Sequence, residues 1–101
     1  MREELEGQLR QLEGLTRRAS RHGDSYSYFV ADLEIVHFHG DERMDIRLTR
    51  ERIRFHKSEA PFDPRVTTRG PSANWIAVRL RETGDIALAL ELVDEAIRAN
   101  S

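Results

Sequence analysis

Two histidines separated by one residue are the first feature of this sequence that could do chemistry. His37 and His39 stand in the stretch VHFHGDERMDI, residues 36–46. In a β-strand, residues two apart project from the same face, with Cα atoms about 6.5–7 Å apart. Two imidazoles at that spacing can bind one metal ion if further ligands converge on it. Asp41 and Asp45 follow closely and are the candidate partners.

The same spacing has a simpler explanation. His37 and His39 continue the alternation of Leu33 and Ile35, and Gly40 stands where a hairpin turn needs a residue that tolerates positive φ. A His-x-His pair alone is a weak metal motif. The sequence therefore favours a strand end followed by a turn, with no metal and no cofactor.

A second candidate is a basic segment, residues 47–57, with five basic residues and one acid. Its arginines are Arg47, Arg50, Arg52 and Arg54, and Arg65, Arg69, Arg79 and Arg81 could join them. Such a surface could bind phosphate or nucleic acid. However, residues 82–101 carry five acids and one base, the net charge is -2, and no glycine-rich phosphate loop occurs. A solvated face neutralised by the acidic C-terminal segment is the favoured interpretation.

Composition excludes several classes of protein. The chain has no cysteine, which excludes disulfides, thiolate catalysis and cysteine-ligated metals. The N-terminal stretch MREELEGQLR is too charged for a signal peptide, and no apolar run is long enough for a bilayer, so we expect a cytoplasmic protein. The GDS triplet at residues 23–25 suggests a serine esterase, but no histidine follows His56 to act as its base. A length of 101 residues predicts one domain, residues 1–101.

The N-terminal half predicts one helix and a strand meander. Leucines at helical spacing predict a helix over residues 2–21, ended by Gly23 as a left-handed cap. Alternating apolar residues over 26–48 then predict three short antiparallel strands, with breaks near residues 31–32 and 40–42.

The second half predicts a loop, a strand and a helix. Thr49 could begin one or two helical turns, and residues 58–65 hold two prolines, which predicts a loop. Alternation predicts a strand over residues 74–81. A helix capped by Thr83 or Asp85 should then run to the C-terminus.

This order predicts an α+β fold. We expect a single-layer antiparallel sheet of four to five strands, with the N- and C-terminal helices packed on one face. One face of the last strand should then contact the last helix. The strand residues are Ile76, Val78 and Leu80, and the helix residues are Leu90 and Val93.

Two blocks of the sequence resemble the luciferase-like domain family. LEIVHFHGDERMDIRLTRERIR resembles that family's strand ending in His-x-His-Gly with the Asp-centred strand after it. TTRGPSANWIAVRLRETGDIALALELVDEAIRA resembles its Pro-x-x-x-Trp strand and terminal amphipathic helix. The resemblance covers about residues 26–99 and implies a frataxin-like sandwich, but no particular reaction. Members usually carry a histidine pair before the proline, where this chain has Thr67 and Thr68.

No nucleophile–base pair, pair of acid–base carboxylates or cofactor cradle can be assembled from the sequence. It therefore favours a non-catalytic binding or interaction module, whose partner is a protein or small molecule and not nucleic acid or a membrane. A polar pocket near His39 and Trp75 is where a ligand would lie. The alternatives are a metal-dependent enzyme using His37 and His39, with Asp41 or Asp45 assisting, and an anion-binding module using the basic segment.

Overall fold

The computed structural model describes residues 1–21, 26–59 and 61–101. Within these ranges, six strands form one sheet and three helices accompany it. The elements are α1 (Arg2–Leu9), β1 (Thr16–Ala19), β2 (Tyr26–Val30), β3 (Leu33–His39), β4 (Arg43–Arg47), α2 (Arg50–Glu59), β5 (Val66–Thr68), β6 (Trp75–Arg79) and α3 (Asp85–Ala99). The sheet order is β1-β2-β3-β4-β6-β5, and neighbouring strands are antiparallel. The predicted α+β class is confirmed, with one or two strands more than expected.

The predicted meander is present as β2, β3 and β4. β3 lies between β2 and β4, so both of its edges are paired. Gly40 occupies the turn after β3 with φ +67°, the left-handed conformation expected of a glycine at this position. The hairpin prediction for residues 36–46 is confirmed.

The prediction of a helix over residues 2–21 is wrong in its second half. α1 ends at Leu9, and residues 16–19 form the edge strand β1, which pairs with β2. Gly14 adopts φ +87°, which interrupts helical geometry between the two elements. All four residues of β1 are exposed, so no burial alternation could distinguish this strand from a helix. The predicted cap Gly23 lies outside the described residues.

The second half follows the prediction with three corrections. β6 occupies the predicted strand, but β5, within the unassigned stretch after the loop, was missed. The predicted one or two turns after Thr49 are α2, a helix of 10 residues that extends into the predicted loop. α3 begins after Gly84 without a side-chain cap, so neither Thr83 nor Asp85 caps it as predicted. The Asp85 carboxylate instead accepts hydrogen bonds from the backbone N–H groups of Arg81 and Glu82.

One face of the sheet, called here the helix face, forms the hydrophobic core. Its cluster joins β3, β4 and β6 to buried side chains from all three helices. The members include Leu5, Leu9, Val36, Phe38, Met44, Ile46, Ile53, Ile76, Val78, Leu80 and Val93, with Leu90 packed against it. α1 also contacts α3 directly. Both terminal helices therefore cover the same face, as predicted.

A β-bulge sets which β3 side chains reach the other face. Tyr28 pairs with Val36 and Phe29 pairs with Glu34, which leaves Ile35 as an extra residue on β3. Ile35 belongs to the core cluster with Val36. The prediction that Ile35 and the two histidines share a face is wrong, because the bulge shifts the alternation by one residue.

No helix in the described ranges combines the length and the apolar content that a membrane span requires.

Candidate metal centre

A row of aligned residues crosses the face of the sheet opposite the helices, called here the polar face. Strand register places Ser27 beside His37, His37 beside Asp45, Asp45 beside Ala77, and Ala77 beside Thr67. The row thus brings a histidine and a carboxylate from adjacent strands to the centre of the polar face.

Asp45 is the point on which both histidines converge. Its Oδ2 lies 3.1 Å from Nε2 of His37 and 2.9 Å from Nε2 of His39. The three side chains each offer a ligand atom, and these atoms lie within 4.8 Å of one another. Ligands around a tetrahedral zinc ion, at bond lengths near 2.0–2.1 Å, are about 3.3 Å apart. Small side-chain movements would give this cluster the spacing of a metal site.

Glu34 fixes the orientation of the His37 ring. Oε2 of Glu34 lies 3.1 Å from Nδ1 of His37, and both side chains are buried. When Nδ1–H of His37 donates a hydrogen bond to Glu34, Nε2 of the neutral ring carries the lone pair that a metal ligand needs. A carboxylate behind a histidine in this way is the usual outer partner of a metal ligand. The bulge creates this contact, because it brings Glu34 to the same face as His37.

Ser27 does not form a catalytic triad with this histidine. Its Oγ is fully buried and has no hydrogen-bond partner within the described part of the chain. The two nitrogens of His37 already face Glu34 and Asp45. The ring therefore has no nitrogen left to activate the hydroxyl as a general base.

Asp45 is held as an anion. Its side chain is 3% exposed, and Arg43 binds it through both Nε and a terminal nitrogen at 3.0 Å. Burial raises the pKa of Asp45, but the hydrogen bonds from His37 and Arg43 together outweigh burial and hold that pKa well below its usual range. A carboxylate that stays ionised is available as a metal ligand at any physiological pH.

A concave pocket of about 320 Å³ opens above the cluster. Its lining residues are His37, His39, Arg43, Asp45, Arg69 and Trp75. The ring centroid of Trp75 lies 4.7 Å from that of His37, so the indole forms one wall. A terminal nitrogen of Arg69 lies 3.6 Å from Oδ2 of Asp45, and its side chain is 57% exposed. The pocket is therefore polar at its base, aromatic at one side and cationic at its mouth.

The structure brings four of the five predicted ligand candidates together. His37, His39, Asp45 and Trp75 all line the pocket. Asp41 does not, because its side chain is 88% exposed and lies 3.9 Å from Arg2, which is not part of the pocket. The position of Asp41 in the turn after β3 directs it away from the cluster.

Two arginines of the predicted basic segment have separate partners in the structure. Arg52 lies 2.8 Å from Glu95 of α3, and Arg47 hydrogen-bonds Asn100 at the end of the same helix. Arg50 and Arg54 are exposed on α2. Glu95 of α3 thus neutralises part of the segment, and the anion-binding role of these arginines stays a prediction.

Three residues that contact the proposed ligands were not predicted as part of this cluster from the sequence. Glu34 depends on a bulge, and Arg69 reaches Asp45 from the end of β5, a strand that the sequence did not reveal. Arg43 had a readable signal, because residues two apart on one strand share a face and Arg43 precedes Asp45 by two. A search for basic residues beside the predicted ligands could have found it.

Comparison with known proteins places this site in a family. A family model described as Luciferase domain matches residues 32–96. The chain belongs to this family. The matched region contains both histidines, Asp45, Arg69 and Trp75, whereas Ser27 lies before it. Searches of curated proteins and of solved structures find no significant match.

Proposed function

We propose that this member of the Luciferase domain family is a metal-binding domain that holds one divalent transition-metal ion. The ligands are Nε2 of His37, Nε2 of His39 and Oδ2 of Asp45. The observation that carries the proposal is that one ligand atom from each of these residues lies within 4.8 Å of the others, on adjacent strands. The proposal adds a metal-binding role to histidines that the sequence analysis interpreted only as the end of a strand.

The types of ligand favour zinc or a similar ion. Imidazole nitrogens suit zinc, iron, copper and nickel, and a carboxylate accompanies them in many such sites. Three protein ligands leave at least one coordination position open. The open position would face the pocket, because the sheet closes the opposite side.

Buried charges around the cluster support the same function. Asp45 is ionised and buried, Glu34 orients His37 from behind, and Arg43 holds Asp45 in place. A cluster of buried charges contributes little net stability compared with apolar residues of similar size. Three ligand atoms with their supporting partners are the arrangement expected where affinity for a metal matters more than stability.

The proposed activity is binding. This agrees with the expectation from sequence of a non-catalytic module, and the metal replaces the unidentified small-molecule partner. The same site specifies how the alternative, a metal-dependent enzyme, would work, because an ion with an open coordination position can activate water. A binding function requires only the ligands that lie together on the polar face, and it is therefore the function we propose.

Elemental analysis tests the proposal directly. The chain should be purified without a histidine tag and dialysed against zinc, and about one zinc per chain is expected. His39→Gln should lose the metal, with an affinity lower by more than about 100-fold, because it removes a ligand rather than an outer partner. His56→Gln is the matched control, since His56 contacts Glu95 on the other side of the sheet and should leave zinc binding unchanged.

The outer partner provides a graded test. Glu34→Gln keeps the shape of the side chain but removes its charge behind His37, and zinc affinity should fall by about 10- to 100-fold. NMR of the imidazole resonances should show His37 and His39 shifting together on addition of zinc, with His56 unaffected. If the imidazole resonances of His37 and His39 do not shift on addition of micromolar zinc, the proposal is refuted.

A further inference from the structure

The structure points to a small oxyanion as the second ligand of this site. Resting on the proposed metal centre, we infer that a carboxylate or phosphate oxygen takes the open metal position while the guanidinium of Arg69 binds the same anionic group. The metal ligands alone do not require such a partner. Arg69, Trp75 and the charge of the cluster supply the reasons.

Of the two arginines that line the pocket, Arg69 is the better placed to donate hydrogen bonds to a ligand. Arg43 already uses its fork on Asp45, through Nε and a terminal nitrogen at 3.0 Å. Arg69 approaches Asp45 only to 3.6 Å, beyond a hydrogen bond, and 57% of its side chain is exposed at the mouth of the pocket. A guanidinium in that position can give two parallel N–H bonds to a carboxylate or phosphate group.

The charge of the loaded site favours a dianion. A divalent ion with Arg43 and Arg69 brings four positive charges, and Asp45 and Glu34 bring two negative ones. With neutral imidazoles, the site would carry an excess of two positive charges around a pocket walled by protein. An anionic ligand neutralises this excess, and electrostatic attraction is stronger there than in bulk water.

The size and wall of the pocket limit the ligand. A volume of about 320 Å³ is at the lower end of the range for small-molecule sites. A volume of this size favours a compact ligand. The indole of Trp75 provides an apolar surface at the wall of the pocket, which suits the carbon chain of a short carboxylate.

Cobalt(II) provides a spectroscopic test, because its visible absorption reports changes in its own coordination. The cobalt-loaded chain should be titrated with succinate and, separately, with inorganic phosphate, and succinamide serves as the neutral reference. A saturable spectral change is expected with at least one anion and not with succinamide. The anion that binds more tightly identifies the ligand as a carboxylate or a phosphate.

Variants of Arg69 separate its role from that of the metal. Arg69→Gln should weaken anion binding by about tenfold or more while cobalt binding persists, since the lost hydrogen bonds are charge-assisted. Arg69→Lys should weaken it less, because it keeps the charge and loses the fork. Arg54→Gln, which removes an exposed arginine from α2, should bind the anion as the unmodified chain does.

The two possible failures are distinguishable. If cobalt does not bind at all, the metal proposal fails and the anion inference falls with it. If cobalt binds but neither anion changes its spectrum, only the anion inference is overturned. Equal anion affinity in Arg69→Gln and the unmodified chain would overturn it as well.

Discussion

The two faces of β3 and β4 are both buried near their centre but are chemically opposite. Phe38, Met44 and Ile46 on the helix face are fully buried, and on the polar face His37 and Asp45 are 7% and 2% exposed. The same strands therefore alternate between a hydrocarbon core and a cluster of charges. Burial alone does not distinguish the face that stabilises this fold from the face that carries its site.

The two faces differ in what burial contributes. A large apolar side chain contributes about 1.5–3 kcal/mol when it leaves water. A buried charge loses its hydration, and the attraction of its partners offsets little more than this loss of free energy. We therefore expect the helix face to determine the stability of the chain and the polar face to determine its affinity for ligands.

The largest expected effect is on the helix face. Phe38→Ala should lower the free energy of unfolding by about 3–5 kcal/mol, because it opens a cavity in a fully buried position. Urea denaturation of the metal-free chain measures the change. The control is the neighbouring His39→Ala, whose side chain is 38% exposed and which should cost less than about 1 kcal/mol. Equal losses for the two variants would contradict the division between the faces.

The next effect concerns the centre of the polar face. Asp45→Asn should destabilise the metal-free chain by about 2 kcal/mol, since it leaves Arg43 and the two histidines without their shared anion. It should also abolish zinc binding. Asp41→Asn is the control, because its side chain is 88% exposed and its removal should change stability by less than about 0.5 kcal/mol. An Asp45→Asn variant as stable as the unmodified chain would mean that the cluster is strained without metal.

The helix face was largely predictable from the sequence. Alternation of apolar residues predicted β3, β4 and β6, and the apolar stripe of residues 86–97 predicted α3. These signals are strong because one face of each element must leave water. β1 gave no such signal, since its four residues are exposed, and β5 is only three residues long.

The polar face was only half predictable. His37, His39 and Asp45 could be proposed because they lie close together in sequence. Glu34 and Arg69 could not, because a bulge places the first and a short edge strand places the second. Contacts that depend on register between strands leave no periodic trace in a single sequence.

Asp85, a buried carboxylate outside the two faces, provides a test of how the stability of the chain falls at low pH. Asp85 accepts hydrogen bonds from Arg65 and from two backbone N–H groups, and together they lower its pKa from 3.8 to about 2. A depressed pKa in the folded state contributes stability that is complete above the unfolded pKa, near 3.9, and is lost as the pH falls through about 2. Asp85→Asn should remove about 1–2 kcal/mol at pH 7 and flatten the loss of stability between about pH 5 and pH 2.

Urea titrations at each pH measure this response, and Asp94→Asn serves as the control because Asp94 is exposed on α3. A profile as steep in Asp85→Asn as in the unmodified chain would show that other carboxylates dominate acid unfolding. Asp45 is the leading candidate for that role, because its pKa is also held below the usual range. The loss of stability in acid would then be assigned to the polar face and not to the residues that precede α3.

The smallest effect tests whether the turn after His39 is structural. Gly40 has φ +67°, and a Cβ added there would meet no atom within 4 Å, so Gly40→Ala introduces backbone strain without a clash. We expect a loss of about 1 kcal/mol in unfolding free energy. Gly7→Ala is the matched control, because Gly7 lies within α1 with the same open surroundings and without a positive φ. There the same substitution should add about 0.5–1 kcal/mol, through the helix propensity of alanine. Zinc affinity should stay unchanged in both variants if the turn only ends the strand, and a loss of zinc in Gly40→Ala alone would show that the turn also sets the position of His39.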